Sequence, residues 1–274
     1  MNFSFLLNRF DSANLRLRVL SSLILAPLTL FVVWMGGFTY DALVTAAVTL
    51  GLFEWLRMAC PGAKPRFTGA ACLMLVAIMA GGIIVSPSFG AALGAGVILI
   101  LSIAASRPLA RGGALGLAYM GGSGLALLAL RHTSVTGTGL VFFLLVSVWA
   151  TDIGAFAAGR LIGGPKLAPS ISPSKTWAGL FGGMASALVL GYFAATVLGA
   201  ARPSVAWGLA PALAVIAQLG DLFESWIKRR AGVKDSGDLI PGHGGVLDRI
   251  DGLVIAAMAL ALFQSIMGDV INWW

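Results

Sequence analysis

Six of the chain's eleven acidic residues, Asp221, Glu224, Asp235, Asp238, Asp248 and Asp251, fall within one stretch, QLGDLFESWIKRRAGVKDSGDLIPGHGGVLDRIDGL, residues 218–253. The same stretch carries Lys228, Arg229, Arg230, Lys234 and Arg249, and one of the two histidines, His243. Asp221, Ser225 and Lys228 recur at i, i+4 and i+7, which places them on one helix face. Asp248 and Asp251, at i and i+3, open the next apolar run. Two helix ends can therefore aim carboxylates at one spot from opposite sides of a loop. Carboxylates combined with water and substrate phosphates are the usual way of holding magnesium, so Asp221, Asp248 and Asp251 are candidate metal ligands. Lys228, Arg229, Lys234 and Arg249 are candidate clamps for phosphoryl oxygens, with Ser225 on the same face and Asp235 beside them. PGHGG supplies a close-packing turn, and His243 within it reads as a phosphate contact, a metal ligand or a turn residue.

Two further features lie upstream. Asp152, in VSVWATDIGAFAAGR, is a carboxylate near the end of an apolar run, where ionisable groups are costly and mark function. The segment RLIGGPKLAPSISPSKT, residues 160–176, contains Gly163 and Gly164, Lys166, and then Ser172, Ser174, Lys175 and Thr176 around Pro173. Pro173 reads as a helix start, and a helix N-terminus with free amides, hydroxyls and a lysine is suited to phosphate.

These groups need elements to position them, and composition says what kind. The 274 residues are 58% hydrophobic and 11% charged, with mean hydropathy +0.93. An average chain is about 25% charged, so this one is a polytopic membrane protein. Apolar runs fall at about 19–36, 40–57, 68–86, 90–105, 114–130, 139–159, 177–199, 205–227 and 253–271, each long enough to cross a bilayer or nearly so. The expectation is nine membrane helices after a short interfacial segment, all-α, in a single membrane domain 1–274. Its N-terminal helices occupy 1–138, and the catalytic helices and cytosolic loops 139–274.

The net charge of +7 does not call for nucleic acid, because the cations sit in short loops between apolar runs. With the N-terminus inside, the inside segments hold Arg9, Arg16 and Arg18, then Arg57, Lys64 and Arg66, then Arg107 and Arg111, then Arg160, Lys166 and Lys175, then the five of the 228–251 loop. Only Arg131 and Arg202 fall outside, a 16-to-2 split that the positive-inside rule reads as N-in, C-out. Trp34, Trp55, Trp177, Trp207, Trp226, Trp273 and Trp274 fall at helix ends, as an interfacial aromatic belt requires. In the N-terminal half, Asp41 reads as a helix start, Glu54 as the partner of Arg57 at i+3, and His132 as an inert loop residue. Cys60 and Cys72 are too few for a disulfide framework or a zinc site.

The segment SWIKRRAGVKDSGDLIPGHGGVLDRID, residues 225–251, resembles the C-terminal signature of the phosphatidate cytidylyltransferases, or CDP-diacylglycerol synthases. QLGDLFES, DIGAFAAGR and SPSKTWAG are similar to that family as well, so the likeness runs from about Asp152 to Leu253. Ala178 stands where many relatives carry Glu after KTW.

The resemblance implies a magnesium-dependent membrane enzyme, with a second cation possible, that joins CTP to phosphatidate to give CDP-diacylglycerol and pyrophosphate. It implies a homodimer in the cell (inner) membrane, with its site on the cytoplasmic face. It maps the metal carboxylates onto Asp221 and Asp248 with Asp251 adjacent. Asp221, Asp248, Lys228 and Lys234 then become the catalytic set, and Ser174, Lys175, Thr176, Ser225, Arg229, His243 and Arg249 the phosphate contacts, with Asp152, Lys166 and Asp235 in supporting places. The nearest rivals are a relative using another lipid acceptor and a secondary transporter. A transporter would carry its polar groups near mid-membrane and often in inverted repeats, which this chain does not show.

Overall fold

The computed structural model describes residues 12–103, 108–133, 136–240 and 244–274. Among them are nine α-helices: α1 Ser12–Met35, α2 Gly37–Ala59, α3 Pro65–Ile84, α4 Pro87–Ile103, α5 Pro108–Arg131, α6 Gly137–Leu161, α7 Trp177–Val197, α8 Ala206–Arg230 and α9 Leu247–Ile271. Each expected apolar run falls on one of them. Among the described residues, seven helices are long and apolar enough to cross a membrane. At 17 residues α4 is shorter than those seven. The fold is nearly all-α, and the exception matters for the site. Strands β1 (Lys166–Ala168) and β2 (Ser172–Thr176) form an antiparallel hairpin between α6 and α7.

That hairpin corrects one expectation. The helix after it starts at Trp177, not at Pro173, and its N-cap is Thr176, whose Oγ1 accepts the Gly179 amide at 3.0 Å. Pro173 sits instead in β2, away from the ladder register of Lys166 with Thr176 and Ala168 with Ser172. An edge strand tolerates it there because that position donates no ladder bond.

α5 is the central post. Its apolar window is 72% buried, against 28% for α3, α7 and α9. It packs on α2, α3, α4 and α9. Trp55 of α2 is 1% exposed and donates its indole N–H to the Gly112 carbonyl of α5 at 3.0 Å. Trp273 is also fully buried, with its Nε1 on Gln264 Oε1 at 2.9 Å. These two tryptophans are therefore packing and hydrogen-bonding residues rather than members of a lipid-facing belt. Trp34, Trp177 and Trp207 do expose their rings.

In the C-terminal half, α6 and α7 meet along small residues. A Cβ placed on Gly154 would lie 2.6 Å from the Gly182 carbonyl oxygen, and one on Gly179 3.0 Å from that of Ala155. Small residues allow such backbone approach in membrane helices. α8 packs between α7 and α9. Gly220 and Gly252 bring α8 and α9 equally close: a Cβ on Gly220 would lie 2.8 Å from the Asp251 carbonyl oxygen.

Candidate active site

The α8–α9 approach decides where the carboxylates go. Asp221 and Glu224 on α8 and Asp251 on α9 each offer an oxygen, all within 4.8 Å of one another. That spacing is wider than octahedral magnesium ligands at about 2.0–2.1 Å allow, so the three side chains would have to close in to hold the ion. Glu224 is fully buried, and its Oε1 meets no hydrogen-bond donor among the described residues. A buried carboxylate oxygen without a donor is costly unless a cation satisfies it. The surroundings agree in sign. Asp152, Asp221, Glu224, Asp248 and Asp251 are five carboxylates, and they outnumber the cations beside them, the paired Lys175 and Lys228 and the Arg160 of the cavity wall. The donor set fits a hard divalent cation with oxygen ligands.

The floor of the cluster is aromatic. Trp55, Tyr119 and Phe223 form a triangle with ring centroids 5.3, 6.0 and 5.5 Å apart, joining α2, α5 and α8. The Tyr119 hydroxyl donates to the Asp251 carbonyl at 3.3 Å. The carboxylates thus stand on packed rings rather than on loops.

Asp248 behaves differently from the three clustered acids. Its Oδ1 accepts from Lys228 Nζ at 2.7 Å, and its Oδ2 from the amides of Ser236 and Gly245, both at 2.9 Å, and from Ser236 Oγ at 3.0 Å. Lys228 also pairs with Glu224 Oε2 at 2.6 Å. Asp248 therefore holds Ser236 and Gly245 to the start of α9, and one ammonium links it to the cluster. Ser225 Oγ donates to Asp221 Oδ1 at 3.3 Å, as the shared helix face anticipates.

Beside the cluster is a cavity of about 290 Å³ lined by Asp152, Phe156, Arg160, Ser174, Lys175, Thr176, Gln218 and Asp221, with Ala155, Gly159 and Gly179 as its small-residue walls. Lys175 Nζ sits 2.5 Å from Asp221 Oδ2. The hairpin delivers Ser174, Lys175 and Thr176 to this cavity from the α7 side, and α6 delivers Asp152 from the other.

The remaining expected residues lie further out. Arg229 is exposed and holds the hairpin turn to the end of α8, with Nε on the Ile171 carbonyl at 3.3 Å and Nη1 on that of Val233 at 3.2 Å. Lys166, Lys234, Asp235 and Arg249 are exposed and form no ion pair among the described residues. His243 lies outside the described residues.

Two acidic residues gain a place that their spacing concealed. Glu224 precedes Lys228 by four residues and reads as an ordinary helix pair, yet it is one of the three clustered carboxylates. Glu54 does not pair with Arg57, whose guanidinium lies over the Phe53 ring at 5.8 Å. It is 1% exposed and accepts from the amides of Val246 and Leu247 at 3.0 and 2.8 Å. Asp41 and His132 likewise pair with each other, at 2.8 Å, far from the cluster in sequence.

Known proteins share this chain's pattern nearly end to end. Residues 16–267 match the profile of the cytidylyltransferase family. The chain is 41% identical over 266 residues to the phosphatidate cytidylyltransferase of Brucella suis, an alignment covering 94% of this chain and 96% of that protein. It is 34% identical over 269 residues to that of Pseudomonas aeruginosa, covering 90% and 96% respectively. A shorter alignment, 44% identical over 137 residues, relates it to the Haemophilus influenzae phosphatidate cytidylyltransferase. Matched to that profile over residues 16–267 and to full-length relatives over 90% or more of its length, the chain belongs to the cytidylyltransferase family.

Proposed function

We propose that this protein is a CTP:phosphatidate cytidylyltransferase that makes CDP-diacylglycerol and pyrophosphate. A phosphatidate phosphate oxygen attacks the α-phosphorus of CTP; the new P–O bond forms as the bond to the bridging oxygen breaks, and pyrophosphate leaves with that oxygen. The observation that carries the reading is the Asp221–Glu224–Asp251 cluster beside a cavity lined by Lys175 and Thr176.

Two polyanions must meet, and the chain's own groups divide that problem. Asp221, Glu224 and Asp251 would hold Mg²⁺, which when bound supplies charge neutralisation and polarises the phosphoryl group. Lys175, Ser174 and Thr176 hold phosphoryl oxygens at the head of α7, where the helix dipole favours anions. Lys228 orients Glu224 and Asp248, and Asp248 shapes the loop. Lys166, Lys234 and Arg249, exposed around the site, raise the local concentration of CTP. A phosphomonoester's second pKa is near ~6, so phosphatidate is already ionised at neutral pH and needs no strong general base. Turnover is expected to be flat above about pH 7 for that reason, and a steep rise towards alkaline pH would point to a catalytic base.

The same proposal includes nine spans, an N-in, C-out orientation, a site on the cytoplasmic face of the inner membrane, and a homodimer. The one-to-one fall of apolar runs on helices and the 16-to-2 split of basic residues support the topology. Pyrophosphate release from detergent-purified protein given phosphatidate, CTP and Mg²⁺, alongside Asp251→Asn, tests the activity. Release that needs both substrates, stops with chelator and is lost in the variant supports it. Turnover with a different lipid phosphate only would change the acceptor, and no turnover in folded protein would overturn it. Mass measurement of the detergent-solubilised protein tests the dimer.

A further inference from the structure

Glu54 is a buried carboxylate on an otherwise apolar stretch of α2, and it lies in a built cradle. Its Oε1 accepts from Val246 N, and its Oε2 from Leu247 N and from Ser236 Oγ at 2.9 Å. Those two amides open α9, so the carboxylate also meets the positive end of that helix dipole. Gly237 and Gly245 wall the cradle: a Cβ on Gly237 would lie 2.8 Å from Glu54 Oε1, and one on Gly245 would collide with Oε2. Side chains at either position would expel the carboxylate.

From this cradle a continuous series of contacts reaches the cluster. Glu54 Oε2 meets Ser236 Oγ, which lies 3.0 Å from Asp248 Oδ2; Asp248 Oδ1 holds Lys228 Nζ, and Lys228 holds Glu224. The serine hydroxyl carries one proton and shares it between two carboxylates. Glu54 itself belongs neither to the three-carboxylate cluster nor to the cavity lining.

We propose that Glu54 is a positioning residue through which the N-terminal helices set the metal affinity of the site. It fixes Ser236 and the start of α9 at Val246 and Leu247, and through Ser236, Asp248 and Lys228 it fixes the direction of Glu224. The proposal rests on the reading of Asp221, Glu224 and Asp251 as metal ligands.

The test uses full-length protein in detergent, with Glu54→Gln, Ser236→Ala and the double variant. Gln keeps the shape but offers one acceptor oxygen where three donors converge. Mg²⁺ titration followed by thermal shift is expected to show half-saturation weakened about tenfold or more in Glu54→Gln, the usual scale for an outer partner of a metal ligand. Ser236→Ala breaks the same series, so the double variant is expected to be no weaker than Glu54→Gln alone. Glu54→Asp, which keeps the charge, is expected to recover part of the affinity. In hydrogen exchange, the Val246 and Leu247 amides are expected to exchange faster in Glu54→Gln while those of α5 do not. Unchanged exchange at Val246 and Leu247 overturns the cradle. Faster exchange with unchanged Mg²⁺ half-saturation, or additive effects in the double variant, overturns the positioning role and leaves Glu54 a purely structural anchor. Absence of any Mg²⁺ shift in the unsubstituted protein would instead sink the metal reading, while the exchange result still judges the cradle.

Discussion

Lys175 and Asp221 form an ion pair of 2.5 Å that ties strand β2 to helix α8 across the mouth of the cavity. In the proposed reading the pair places a phosphate-binding cation directly on a metal-binding carboxylate, so the two would compete until substrate and metal arrive together. Replacing Lys175 with Met is expected to lower kcat/KM by about 10²–10³, the scale for loss of one preorganised electrostatic donor. Half-saturating Mg²⁺ should stay the same or fall, because Asp221 loses its internal cation. Steady-state kinetics at varied Mg²⁺ checks both; a rise in the Mg²⁺ requirement would contradict the arrangement.

Glu224 and Asp248 both touch Lys228 but do different work, and their amide variants should separate. Glu224→Gln is expected to weaken Mg²⁺-induced stabilisation with little change in the metal-free Tm. Asp248→Asn removes a charge that holds Lys228 and three loop donors. Its cost should approach the ~3–5 kcal/mol of breaking a buried pair, read as a lower Tm with or without Mg²⁺. Thermal unfolding in detergent distinguishes the two patterns.

Gly220 sets the distance between Asp221 and Asp251, since a side chain there meets the Asp251 carbonyl oxygen. Gly220→Val is expected to push α8 from α9 and abolish turnover, while overpacking costs about 1–3 kcal/mol of stability. Gly208 near the other end of α8 has open space, so Gly208→Val is the control with activity retained. Activity per folded protein decides between them.

Orientation is open to cysteine labelling. In a background with Cys60 and Cys72 changed to Ala, Arg202→Cys should react with a membrane-impermeant maleimide on intact cells. Lys64→Cys and Lys234→Cys should react only after permeabilisation. All three positions are exposed. The reverse pattern would invert the protein and put the site outside.

The helices were legible because lipid demands long apolar runs, and each run fell on one helix. The hairpin was not. SPSKT carries Pro173 and small hydroxyls, which serve a helix start and an edge strand equally well, and only the pairing of Lys166 with Thr176 decides. Asp221 and Asp251 were legible from their positions at facing helix ends. Glu224 was hidden behind an i, i+4 lysine that in isolation explains it fully. Glu54 was hidden by distance, because its partners lie at Ser236, Val246 and Leu247 and nothing local to α2 points towards them. A long-range buried carboxylate announces itself only in three dimensions.

The backbone seam between α6 and α7 has a consequence for the cavity. Gly154 meets the Gly182 carbonyl and the Ser186 side chain, and Gly179 the Ala155 carbonyl, so the two helices are held nearly backbone to backbone. Asp152 on α6 and the Thr176 cap of α7, on either side of the cavity, have their spacing set by that close approach. Arg229 joins the hairpin turn at Ile171 to Val233 just beyond α8, so one guanidinium holds these two segments together.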